Sequence, residues 1–206
     1  MVYGRINKPF WDDAPVAIIG GGPSLIDFDL EQLRGAHVLA VKRAIFSVPW
    51  ADACFGLDMD RYTEWRDKLS SIPSRIYWAV TDDQLDRTTP SKNTTFLKRL
   101  VGQDVSDDPG MIFGGGTSGF GALQICLHKH AKEIVLFGFD YNGNDGTDAH
   151  SIKRTANWLA WAEHFRVYVP YLIEQGISVV NACPQSAIRC FQKMTLADGV
   201  AALRIK

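Results

Sequence analysis

The chain has 206 residues, 46% of them hydrophobic, with a formal net charge of −1 and a pI near 6.5. That length holds one sizeable core and is short for two, so a single domain over residues 1–206 is predicted. The charge indicates neither nucleic acid nor an anionic membrane as partner, no apolar run is long enough to span a bilayer, and the first residues lack a signal-peptide pattern; a cytoplasmic protein is expected.

In chain order, apolar runs that read as buried strands occur at residues 16–20 (VAIIG), 37–41 (HVLAV), 53–57 (ACFGL), 75–80 (RIYWAV), 133–139 (EIVLFGF) and 178–183 (SVVNAC). Most are continuous rather than alternating, as in a parallel sheet covered on both faces. Helices are predicted over 29–34, 62–69 and 118–130. The longest is predicted over about 152–175, where Trp158, Trp161, Ala162 and Phe165 follow helical spacing and Gly176 supplies a stop. Alternation of strand and helix predicts a Rossmann-like α/β domain, an open and mostly parallel sheet with helices on both faces. The polar stretch 81–95 and the break at 106–110 mark residues 81–113 as an excursion or lid over the site. Cys54, Cys126, Cys183 and Cys190 form no C-x-x-C pair and read as reduced core thiols.

Ligands of an open parallel sheet gather at the carboxyl ends of its strands. There the chain places Gly20, Gly21, Gly22 and Ser24, a turn that suits either close approach to a phosphate or an ordinary tight turn. The third glycine of the dinucleotide fingerprint is missing, and Lys42 and Arg43 stand where an NAD site carries an acidic residue; both features argue against NAD. A second glycine cluster, GGGTSGFGAL (114–123), leads into a helix whose start at Thr117, Ser118 and Gly119 offers N–H groups and hydroxyls to an anion; it lacks the lysine of a P-loop. Asp140, Tyr141, Asp145, Asp148 and His150 follow a strand in FGFDYNGNDGTDAHS (137–151). Its register fails as a calcium loop, while His150, before a helix, has the chemistry of a general base. Asp58 and Asp60 have the D-x-D spacing of metal-holding glycosyltransferases, or serve as a helix start, with Asp60 as cap.

The segments GGGPSLIDFD, GGTSGFGALQICLHKHAKEIVLFGFDY, DAHS and VVNACPQSAI, in this order, resemble the motifs of the bacterial sialyltransferases of glycosyltransferase family 42. They also resemble the wider group of 6-hydroxymethylpterin diphosphokinase-like proteins and, most nearly, its small phage-encoded members. The resemblance implies a nucleotide-sugar-dependent transferase, with a CMP-sugar as donor and no tightly bound cofactor. It implies Gly20, Gly21, Gly22 and Ser24 along the nucleotide, Thr117, Ser118 and Gly119 near its ribose and phosphate, and Asp140 among the nucleotide contacts. Tyr141 would stand at the leaving phosphate, His150 would be the general base, and Ser186 would lie on the base side. Lys42 stands where the sialyltransferases have a nucleotide-contacting asparagine. The other branch implies an ATP-dependent diphosphokinase with magnesium held by Asp58 or Asp140, and a third reading is a nucleotide-binding phage accessory protein without turnover. The acceptor and any homo-oligomer stay open.

Overall fold

A computed structural model describes residues 2–6, 11, 14–143 and 157–205. The chain begins with strand β1 (Pro15–Ile19), passes two single 3₁₀ turns at Pro23–Leu25 and Leu30–Leu33, and enters β2 (His37–Val41). A third 3₁₀ turn, Lys42–Phe46, leads to β3 (Ala53–Gly56), α1 (Met59–Ser70), β4 (Arg75–Val80) and α2 (Asp82–Asp86). Then come β5 (Thr94–Leu100), β6 (Met111–Phe113), α3 (Ser118–His128) and β7 (Glu133–Phe137). After the gap in description follow α4 (Trp158–His164), a 3₁₀ turn at Phe165–Val167, α5 (Tyr168–Glu174), β8 (Ser178–Asn181), β9 (Gln192–Lys193) and α6 (Leu196–Ala202).

The strands form one nine-stranded sheet in the order β6-β5-β4-β3-β2-β1-β7-β8-β9, and each pairing is parallel. The open α/β architecture predicted from strand–helix alternation is the one observed. From β1 the chain steps outward to β6, then returns to place β7 against the other side of β1. Right-handed crossovers put connections on one face while the chain steps one way and on the opposite face once it turns back. Accordingly Leu33, Ile45, Tyr62, Leu69 and Leu85 cover one face together with Ala17, Ile19 and Trp78, while Phe120, Leu123, Phe165 and Tyr168 of α3 to α5 cover the other with Val16, Ile18 and Phe55. Successive strand residues thus enter opposite cores, which is why the central strands read as unbroken apolar runs.

Three parts of the sequence expectation change. The long helix expected over 152–175 is, from residue 158 on, two short helices separated by the 3₁₀ turn. Pro170 supplies the reason: it has no N–H to give the carbonyl of Arg166, and its ring crowds that carbonyl, so helix geometry fails at 165–167. The segment 81–113, expected as an excursion, contributes α2 and two sheet strands, β5 and β6. Strand β9 adds a two-residue edge. The four cysteines are all free, Cys54, Cys126 and Cys183 buried and Cys190 half-buried. Burial pushes the Cys54 thiol up to about 12. No helix among the described residues is long and apolar enough to cross a membrane.

Phe120 is the hinge of one core: fully buried, its ring lies 4.7 Å from that of Tyr168 and 5.7 Å from that of Phe165, and the Tyr168 hydroxyl donates to its carbonyl at 2.6 Å. Phe120→Ala is expected to lower the unfolding free energy by about 3–5 kcal/mol, measured by urea denaturation followed through tryptophan fluorescence.

Candidate functional site

The order of the strands reverses between β1 and β7, and open sheets split at such a point to leave a crevice at their carboxyl edge. A cleft of about 240 Å³ lies there. Gly20, Gly21, Gly22 and Pro23 line it from the turn after β1, and Gly116, Thr117, Ser118 and Gly119 from the start of α3. The two glycine clusters, distant in sequence, therefore share one cleft. Asp140 and Tyr141 after β7, Lys42 and Arg43 after β2, and Asp58 after β3 add polar groups, with Phe139 beneath them.

The turn after β1 is closed by hydrogen bonds to the end of β7. Gly20 N–H donates to the Phe137 carbonyl at 2.8 Å and Gly22 N–H to the Gly138 carbonyl at 2.9 Å. Asp140, only 4% exposed, accepts from the Ser24 N–H at 2.9 Å and from the Ser24 hydroxyl at 2.8 Å. A Cβ at Gly22 would collide with that same carboxylate, so the glycine is there to admit Asp140. Ser24 thus sits inside the 3₁₀ turn, bound to an anion of the protein itself, and does not line the cleft. Cys183 lies beside this pair, its thiol pushed up by burial and by the Asp140 carboxylate.

The second turn is open by comparison. Thr117 is the N-cap of α3: its hydroxyl oxygen accepts from the Phe120 N–H at 3.2 Å and lies 2.8 Å from the Tyr141 hydroxyl. Ser118 and Gly119 follow as the first helical residues, whose N–H groups have no carbonyl one turn earlier in the helix. Ser118 is 6% exposed, yet its hydroxyl has no hydrogen-bond partner among the described residues. At Gly119 a Cβ would stand 2.5 Å from the Tyr141 hydroxyl, so this glycine lets the phenol reach the helix start. Burial drives the Tyr141 hydroxyl well above the usual tyrosine range, against a smaller lowering by Thr117, so it stays a neutral donor.

Two cleft residues hold left-handed backbone without being glycine: Lys42 (φ 54°) and Tyr141 (φ 53°). The other two such residues, His130 and Arg204, merely follow the ends of α3 and α6. Strain of roughly 1–3 kcal/mol at a non-glycine residue persists where surrounding contacts dictate it. For Lys42 the contact is an ion pair with Asp58. Asp58 occupies the N-cap position of α1 without capping it through its side chain, whereas Asp60, expected as the cap, lies in the first turn, where its charge suits the helix dipole. The carboxylates of Asp58 and Asp140, the two proposed as metal ligands under the diphosphokinase reading, are thus each engaged by a neighbouring side chain.

Ser186 does not line the cleft. It is 3% exposed and ties the loop after β8 to the end of β7, donating to the Phe139 carbonyl at 2.6 Å and accepting from Asn181 at 2.9 Å. His150, Asp145 and Asp148 lie outside the described residues. The cleft also holds residues that sequence reading did not assign to it. Trp158 and Trp161, read from their spacing as helix packing, form a wall with Tyr141: the indoles meet edge to face at 5.3 Å, and Trp158 meets the Tyr141 ring at 5.7 Å. Arg99 enters from the end of β5.

No family model and no curated protein matches the chain. Among solved structures, the MAf glycosyltransferase from Magnetospirillum magneticum AMB-1 superposes with a TM-score of 0.63 at 15% sequence identity, over 98% of this chain. The chain spans 38% of that protein's length. The fold is one found in a glycosyltransferase.

A raised tyrosine ionisation adds stability that is fully present below the unfolded-state value of about 10 and lost as the pH climbs above it. The fold is therefore expected to lose stability from about pH 10 upward. Tyr141→Phe should make that alkaline decline shallower in urea titrations repeated across pH. Gly119→Ala is expected to keep the fold while separating Tyr141 from Thr117, seen as a changed Trp158 emission.

Proposed function

We propose that the protein is a nucleotide-sugar-dependent transferase whose donor phosphate rests at the start of α3. The observation that carries this reading is the buried Ser118 hydroxyl, without a partner among the described residues, at a helix N-terminus beside the Thr117–Tyr141 pair in the switch-point cleft. The glycosyltransferase-like fold and the sequence resemblance support the same reaction class. Helix N–H groups at Ser118 and Gly119, together with the Ser118 hydroxyl, meet the phosphate's negative charge. With the Thr117 hydroxyl donating to Tyr141, the phenol O–H is left to donate to the departing phosphate oxygen as the glycosyl–oxygen bond breaks. The indole wall of Trp158 and Trp161 offers flat apolar faces to a sugar or base ring. His150, carried over from the resemblance, takes the proton from the acceptor hydroxyl in this scheme. No step in it calls on a metal; Asp58 and Asp140 act through Lys42 and Ser24.

Calorimetric titration with CMP, UDP, GDP and ATP, with and without magnesium, tests the reading, and absence of binding to all four would overturn it. Ser118→Ala should weaken the bound nucleotide roughly three- to tenfold, the scale of one hydrogen bond. With donor and acceptor identified, His150→Ala should leave nucleotide affinity nearly intact and reduce turnover by about 100-fold or more. Full turnover in that variant would mark a binding protein or a different base.

A further inference from the structure

We propose that Arg99 recognises a second phosphoryl group, so that the cleft is built for a nucleoside diphosphate rather than a monophosphate. This rests on the nucleotide-binding reading above and goes beyond it. Arg99 of β5 lines the same cleft as the start of α3. The Thr117 N–H donates to the Gly114 carbonyl at 3.1 Å, so a guanidinium lying against Gly114 stands one turn from the helix start. A phosphate at Ser118 therefore leaves Arg99 to meet the phosphoryl group next to it.

The guanidinium is placed for an anion. Arg99 is half-buried, and a Cβ at Gly114 would stand 3.0 Å from its Nε, so the side chain lies against a stretch of backbone that carries no side chain. Among the described residues it makes no ion pair or hydrogen bond, in contrast to Arg5, Arg34, Arg61, Arg166 and Arg204, each paired with a carboxylate on the surface. An arriving anion gives this guanidinium the charge-assisted hydrogen bonds that the described residues do not supply. Arg43 also lines the cleft, while Lys42 is already paired with Asp58. The planar guanidinium fork of Arg99 can hold two phosphate oxygens at once.

The test compares CMP with CDP, UMP with UDP and GMP with GDP by calorimetry, with inorganic diphosphate against inorganic phosphate as a base-free pair. The expected result is a diphosphate preference of about tenfold or more in the native chain, the worth of one charge-assisted bidentate contact. Arg99→Gln should bring that ratio close to one, and Arg99→Lys should leave it in between; circular dichroism confirms the fold of each. Equal affinity for mono- and diphosphates in the native chain overturns the inference and leaves the nucleotide reading intact. A preference that survives Arg99→Gln overturns the assignment to Arg99. Arg99-dependent binding of inorganic diphosphate without binding of any nucleotide upholds the second-phosphate site and overturns the nucleotide reading, and no binding in any arm overturns both.

Discussion

The site depends on one buried carboxylate. Asp140 leaves the end of β7 and accepts two hydrogen bonds from Ser24, a residue 116 positions earlier in the chain. This bond pair joins the loops on either side of the switch point, beyond the paired ends of β1 and β7. It also fixes what the first glycine turn can do: its anion site is already filled by the protein, and the collision of any Cβ at Gly22 with Asp140 leaves no choice of residue there. The other glycine turn, by contrast, keeps a buried hydroxyl without a partner among the described residues. Removing the carboxylate would strand Ser24, and removing Ser24 would leave a charge in a dry place, so the two are energetically one unit.

That division of labour gives the cleft a polarity. One wall is locked by internal hydrogen bonds, while the other presents donors to the opening. Tyr141 belongs to both, since its backbone continues the Asp140 loop and its hydroxyl touches the Thr117 cap. A phenol kept neutral by burial, next to a threonine that itself caps a helix, is a donor whose strength is set by packing and not by the bulk pH. The left-handed backbone at Tyr141 and Lys42 shows two cleft residues held in conformations that their side-chain contacts, rather than local preference, select.

How much of this was legible in the sequence follows from what kind of force places each part. The six central strands announce themselves because both of their faces are buried over most of their length, so apolar residues fill nearly every position. Strand β5, TTFLKRL, has only Phe96 and Leu97 buried, and β6 and β9 are too short to make a pattern, so all three read as loop. The break between α4 and α5 was written in Pro170, but aromatic residues at helical spacing on both sides masked it. In the site, the glycine turns and Thr117–Ser118–Gly119 were legible because backbone exposure at a helix start is a local property. The Asp140–Ser24 bond, the indole wall and Arg99 were not, because strand order alone brings β5 and α4 to the same cleft. Ser186, which the resemblance puts on the base side, has its oxygen engaged by two backbone groups and Asn181, partners on other segments that no local pattern announces.

The central position of β1 has a consequence for how the molecule is made. Val16 pairs on one side with His37, which emerges from the ribosome soon after it, and on the other with Ile134, which is synthesised much later. Until then the middle of the sheet has a bare edge of unpaired N–H and C=O groups flanked by apolar side chains, the kind of surface that joins other chains. Parallel pairing across such separations is also slow to form. The half-made protein is therefore the sticky one, and the step that ends its exposure is the same arrival of β7 that delivers Asp140 to Ser24. Cleft assembly and protection from aggregation are completed in a single event.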